Sequence, residues 1–198
     1  MSYGLNLYAV DLTLVRGAIG CGSKQLLDMI GEAYGQRIAR DDEYFAAEIA
    51  KGAPTGHEAL RAVIEGGPFE KEHAFQYGYA YRRICEAYGD QLDDSSFSSF
   101  RSAWLMHVDE GLTSLGMTAV SVSPFMYSLP RPLPRAELPG YGEWTPEQCA
   151  EGLAQWEAST EEQRQQLHFE VLEAIESCVG WMRQAVAKEG YGIAGFGS

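Results

Sequence analysis

Positive charge is the first scarcity: 15 Lys and Arg stand against 28 Asp and Glu, for a net charge of −13. Binding to nucleic acid or to an anionic membrane needs cationic groups to displace counterions from phosphate, so the balance argues against both ligand classes. Histidine is nearly as rare, at four residues, and none lies near a cysteine in a ligand spacing. No metal and no other cofactor is therefore expected. The four cysteines, Cys21, Cys85, Cys149 and Cys178, lie 64, 64 and 29 residues apart, with no CxxC pair and too few for a disulfide framework. No apolar run approaches the ~18 residues of a spanning helix. The opening MSYGLNLYAVDLTLVRG lacks a basic segment leading into an apolar core. A soluble, reduced, cytoplasmic protein is the expectation.

Catalytic motifs are also missing. There is no P-loop and no GxSxG elbow. Gly190, Gly192 and Gly195 spell GxGxxG, but a dinucleotide fingerprint must follow a strand and open a helix, and only three residues remain after Gly195. His107 and Asp109 are two apart, about 200° around a helix, so they do not share a ligand face. Cys85 has Arg82 and Arg83 beside it, which would favour a thiolate, yet it falls on an apolar stripe where a cysteine acts as a small hydrophobe.

What the chain does carry is punctuation and period. Tyr3, Leu5, Leu7 and Ala9 alternate with Gly4, Asn6 and Tyr8, predicting a first strand. Asp11 opens a short helix through Ile19. Ser23 caps a second helix that Gly35 stops, and Asp41 and Asp42 open a third that ends near Gly52. Thr55-Gly-His-Glu58 has capping-box spacing for a helix to Glu65. Tyr77, Tyr81, Ile84, Cys85 and Tyr88 mark another, closed by Gly89. Phe97, Trp104, Leu105, Val108, Leu112 and Leu115 mark the next, closed by Gly116. TAVSVSPFMYSL shifts to a strand-like period, predicting one or two short strands. Thr145-Pro-Glu-Gln148 starts a helix, and Ser159-Thr-Glu-Glu162 starts a long final one with Leu167, Val171, Ala174, Ile175, Cys178, Met182 and Ala185 on its buried stripe. YGIAGFGS adds a last short strand.

Four of the eight prolines fall in PRPLPRAELPGYG, residues 130–142. Pro130, Pro132, Pro134 and Pro139 are spaced 2, 2 and 5, so they do not line one edge of a polyproline helix. A stiff surface crossing inside one domain is the reading, with Arg131, Arg135 and Tyr141 as the residues of a docking loop in the alternative.

Charge is unevenly placed. Glu137 to Glu176 holds ten glutamates and one base, Arg164, a net −9 of the chain's −13. A solvated helical pair explains this without any ligand. An acidic docking face for a basic protein partner, such as a nuclease toxin, explains it with one. Its residues would be Glu143, Glu147, Glu151, Glu161 and Glu162, with Tyr79, Trp144, Trp156 and Trp181 as aromatic anchors.

The stretches SYGLNLYAVDLTLVRGAIG, FQYGYAYRRICEAYGDQL and PRPLPRAELPGYGEW resemble an uncharacterised family of acidic bacterial proteins of about this length, and the overall plan is loosely similar to YfbM-like proteins. The resemblance implies one α+β domain and carries no catalytic residue. Together these readings predict a mostly helical α+β domain spanning residues 1–198, with a small sheet that includes the first and last strands. The expected function is that of a non-enzymatic binding or inhibitor protein of the immunity or antitoxin type. The alternative is an enzyme or small-molecule binder with a pocket near the sheet edge and the proline crossing, lined by Tyr3, Tyr8, Trp104, Tyr127 and Tyr141.

Overall fold

The computed structural model describes residues 2–101 and 103–198. In chain order its regular elements are β1 (Tyr3–Asp11), α1 (Leu12–Gly17), α2 (Lys24–Tyr44), α3 (Ala46–Ile49), α4 (Gly56–Glu65), α5 (Ala74–Tyr88), β2 (Asp90–Gln91) and β3 (Ser98–Phe100). These are followed by α6 (Ala103–Ser114), β4 (Gly140–Trp144), α7 (Pro146–Ala158), α8 (Glu161–Gln165), α9 (Phe169–Val186) and β5 (Tyr191–Gly197). This is an α+β fold, mostly helical, with a five-stranded sheet that includes the first and last strands. Among the described residues no helix is long and apolar enough to cross a membrane.

The chain divides into two compact units. One comprises the residues through Leu12, Gly89–Tyr127 and Tyr141–Ser198; the other comprises Thr13–Tyr88 and Ser128–Gly140.

The first unit is built on the sheet. Its order is β2-β1-β5-β4, with β3 also pairing β1. β1 and β5 run antiparallel from Leu5↔Gly197 to Asp11↔Tyr191 without a register break. Leu5, Leu7, Ala9 and Ile193 face a core shared with Phe125, Val108, Leu112, Ile175, Cys178 and Met182. Two of the GxGxxG glycines, Gly192 and Gly195, answer to packing here, as does Gly197 beyond the motif. A Cβ on Gly192 would overlap the Trp144 carbonyl, one on Gly195 the Phe125 ring, and one on Gly197 the Met126 sulfur. Bare backbone in β5 is what lets a short 3-10 turn, Ser123–Met126, press its side chains onto the sheet.

That turn replaces the strands expected in TAVSVSPFMYSL. The backbone donors there go to side chains instead of a ladder: Asp109 accepts the N–H groups of Val122 (2.7 Å) and Ser123 (3.2 Å), and Gln155 accepts those of Thr118 and Ala119. The final helix also differs from expectation. Thr160, not Ser159, forms the capping box, with Gln163. It opens only the short α8, and α9 starts afresh at Phe169. The expected stripe from Ala174 to Ala185 is buried, while Leu167 and Val171 are half-buried.

In the second unit, α2, α4 and α5 pack through Ile30, Leu60, Val63, Tyr81 and Ile84, all fully buried. Ser23 caps α2 and Thr55–Glu58 close a capping box on α4, as expected. Gly35 does not stop α2, which continues to Tyr44. The reason lies across the unit: Arg83 of α5 donates to Asp41 (2.6 Å) and to Glu86 (2.6 Å), and Arg37 also pairs with Glu86. Asp41 is thus held inside α2 by a buried guanidinium instead of opening a new helix. The proline crossing packs in this unit too. Leu129, Leu133 and Pro139 are buried, and Pro139 lies so close to Gly78 of α5 that a Cβ there would stand 2.7 Å from the proline ring. Arg131 and Arg135 remain exposed.

Three outcomes follow from this packing. Gly195→Val, which drives a branched side chain into Phe125, should cost about 3 kcal/mol in urea unfolding. Gly190→Ala should cost only ~1 kcal/mol, because Gly190 has φ +77° but open space around its Cα. Arg83→Met, which strands Asp41 and leaves Glu86 with Arg37 alone, should cost roughly 3 kcal/mol in the same measurement.

Candidate functional site

The tryptophan anchors expected on an acidic face are core residues. Trp144 is 2% and Trp181 1% exposed. They join Phe125 and Phe97 in a continuous stack, with centroid separations of 5.2 Å from Phe125 to Trp144, 6.0 Å to Trp181 and 5.1 Å to Phe97. Each indole N–H is satisfied indoors: Trp144 donates to the Ser121 carbonyl (2.8 Å) and Trp181 to that of Asp93 (2.6 Å). Burial of so much apolar area outweighs any use at a surface. Trp156 is buried as well, under the Arg164 guanidinium, whose carbon sits 3.8 Å from the ring centroid. Tyr141 is buried against Phe196 and donates to Glu143.

The expected carboxylates do reach water but do not converge. Glu147 and Glu151 lie on α7, and Glu161 and Glu162 on α8, all exposed; Glu143 is half-buried in β4. Glu147 and Glu162 sit in the first turns of their helices, where hydrogen bonds from the helix start hold their carboxyls below the usual range. Their placement is that of helix-capping surface acids.

A concave site forms elsewhere in the first unit. Trp104, His107, Gly111 and Ser114 recur at three and four along α6, forming a stripe beside the buried Leu105–Val108–Leu112 stripe. Gly111 brings α6 hard against α9: a Cβ there would stand 2.6 Å from Val171. The two helices and the 95–100 segment enclose a groove. One part, about 590 Å³, is lined by Ser95, Ser96, Ser99, Phe100, Arg101, Trp104, His107, Glu170 and Glu173. It continues past Trp104 and His107 toward Glu110, Leu167 and His168. Trp104 donates its indole N–H to the Ser96 carbonyl (3.2 Å), which fixes the ring at the junction of the two parts.

Several features set this groove apart. Its floor is aromatic and aliphatic, while its charges are three carboxylates, Glu110, Glu170 and Glu173, against the one guanidinium of Arg101. His107 stands 3.6 Å from Glu110, and His168 stands 3.8 Å from Glu170. Ser99 in its wall has φ +75°, a conformation that costs a non-glycine residue about 1–2 kcal/mol. Phe169 and Met106, next in chain to lining residues, are more than half exposed. Aromatic floor, acidic rim and exposed apolar neighbours form a surface able to hold an extended cationic segment.

Among the aromatic residues expected to line a pocket, only Trp104 does so here; the proline crossing contributes nothing to this groove. Glu170 and Glu173 come from the acidic segment that the sequence singled out, but from its last part. The signal that could have found them is the second α6 stripe, since Trp104 lies off the stripe that packs inward.

The remaining reactive groups are placed for structure. Asp109 turns away from His107 and ties down residues 122 and 123, as their angular separation on α6 requires. Among the described residues no three His, Cys, Asp or Glu side chains come together as a metal site. Cys85, Cys149 and Cys178 are fully buried, and desolvation raises all three thiols, that of Cys149 to about 12. Cys21 is exposed.

The family model of a domain of unknown function, DUF7691, matches residues 1–198, and the chain belongs to that family. Comparison with the curated proteins and with the solved structures returns no match.

Thiol titration tests this account of the cysteines. One thiol, Cys21, should react with a disulfide reagent at pH 8 in the native protein, and all four should react in denaturant. Rapid native modification of Cys85 would contradict its burial.

Proposed function

We propose that this DUF7691 chain is a non-enzymatic binding protein, of the kind an inhibitor or immunity protein exemplifies, and that it holds a basic protein partner in the groove between α6 and the start of α9. The observation that carries the reading is the groove itself: three carboxylates around an aromatic floor, in a chain of net charge −13. The charge of the whole molecule draws a cationic partner in, and the groove supplies the short-range fit.

Arg164 supports this view. It is the only base between Glu137 and Glu176, and it is spent internally. Its Nη2 donates to the carbonyls of Trp156 and Ser159, and its Nε donates to the Ser159 hydroxyl. The acidic stretch from Glu137 to Glu176 is left without a free Lys or Arg of its own.

The groove's two histidines stand beside carboxylates on the open surface, and no described cysteine lines it: Cys85, Cys149 and Cys178 are buried, and the exposed Cys21 lies elsewhere.

Calorimetric titration with synthetic dodecapeptides of net charge +4 and −4 tests the reading. The cationic peptides should bind, more weakly as salt rises, and the anionic ones should not. The double variant Glu170→Gln, Glu173→Gln should weaken that binding about fivefold, in keeping with two partly exposed ion pairs. Equal binding of both peptide sets, or binding unaffected by salt, would overturn it.

A further inference from the structure

The groove's chemistry is more selective than a patch of negative charge. A lysine ammonium is a compact, strongly hydrated point charge, satisfied by any exposed carboxylate. A guanidinium is planar and more weakly hydrated, lies flat on an aromatic face, and offers its edge donors to carboxylates in the ring's own plane. The site presents both counterparts together. Trp104 is half-buried, lines both parts of the groove and is held at its indole edge by the Ser96 carbonyl. Glu170 and Glu173, three residues apart and so on one face of α9, stand along the same wall.

The protein builds a related arrangement for itself on a tryptophan, with neutral oxygens in place of carboxylates. Arg164 lies over the Trp156 ring at 3.8 Å from its centroid, with its nitrogens committed to oxygen acceptors at 2.7 Å and 3.0 Å. At Trp104 the aromatic face and the acceptors are present, and among the described residues no arginine lies over the ring. Arg101, which also lines the groove, is exposed.

Resting on the reading of the groove as a seat for a basic partner, we propose that its determinant is an arginine side chain of that partner, stacked on Trp104 and bridged to Glu170 and Glu173. The partner segment is extended and cationic, and lysine does not substitute for the arginine.

Capped hexapeptides carrying one central arginine, lysine or citrulline, otherwise identical and with a net positive charge from their flanks, separate the possibilities. The arginine peptide should bind the full chain about fivefold more tightly than the lysine peptide. The citrulline peptide, equally planar but uncharged at that position, should fall below both. In nitrogen–proton NMR spectra the indole resonance of Trp104 should move on adding the arginine peptide, while those of the buried Trp144 and Trp181 should not. Trp104→Leu should abolish the preference for arginine while leaving salt-dependent binding in place. The indole shift in the unsubstituted protein keeps the test decisive if that variant does not fold. Salt-dependent binding of arginine and lysine peptides with equal affinity and a stationary Trp104 resonance would overturn the arginine assignment and leave the basic-partner reading standing. Binding of none of the peptides would overturn both.

Discussion

The pairing of β1 with β5 is the constraint on which the first unit rests. Seven successive residue pairs, from Leu5↔Gly197 to Asp11↔Tyr191, set which side chains of each strand face the core. A slip of one residue would turn Leu5, Leu7 and Ala9 outward and carry the β5 glycines away from the turn that needs them. The same register places the sheet beneath α9, and the close approach of α9 to α6 at Gly111 in turn shapes the groove. Two of the glycines that spell a nucleotide motif, Gly192 and Gly195, are therefore a record of steric clearance, while Gly190 answers to a left-handed backbone turn. Trp144, Phe125 and Met126 occupy the space that side chains on β5 would fill.

Much of this was legible where local chemistry decides structure. The alternation at the N-terminus and the caps at Ser23, Thr55 and Thr145 act through neighbouring backbone, so a reader of the sequence meets all the relevant atoms. Legibility failed where distant groups decided. Gly35 reads as a helix stop, but the pairing of Asp41 with Arg83, 42 residues away, keeps α2 continuous. Val120 and Val122 read as strand residues, yet Asp109 and Gln155 capture the backbone donors of that stretch and leave it irregular. β4 was hidden because its GYGEW sequence follows a proline-rich run and lacks alternation.

The candidate site shows the same division at finer scale. Net acidity in the last third was visible as a count, and its exposure followed from the helical period. Which carboxylates face a concavity depends on where α9 restarts after α8, and that break is set at Leu167 and His168, not at the capping box upstream. Tryptophans illustrate the opposite error. Their size makes them attractive as anchors, but three of four contribute that size to the interior, and the one beside the groove is distinguished only by lying off its helix's inward stripe.

The spacing between the paired strands also bears on how the molecule is made. Every residue joining β1 to β5 meets a partner that leaves the ribosome roughly 180 residues later at the closest pair, Asp11 with Tyr191. The second unit draws most of its contacts from Thr13–Tyr88 and can begin to assemble early. β1 cannot be covered by β5 until roughly 180 further residues have been made, so a long-range closure completes an otherwise locally built fold. During that interval an apolar strand waits with its hydrogen-bonding edge open, and nascent-chain chaperones would find their target there.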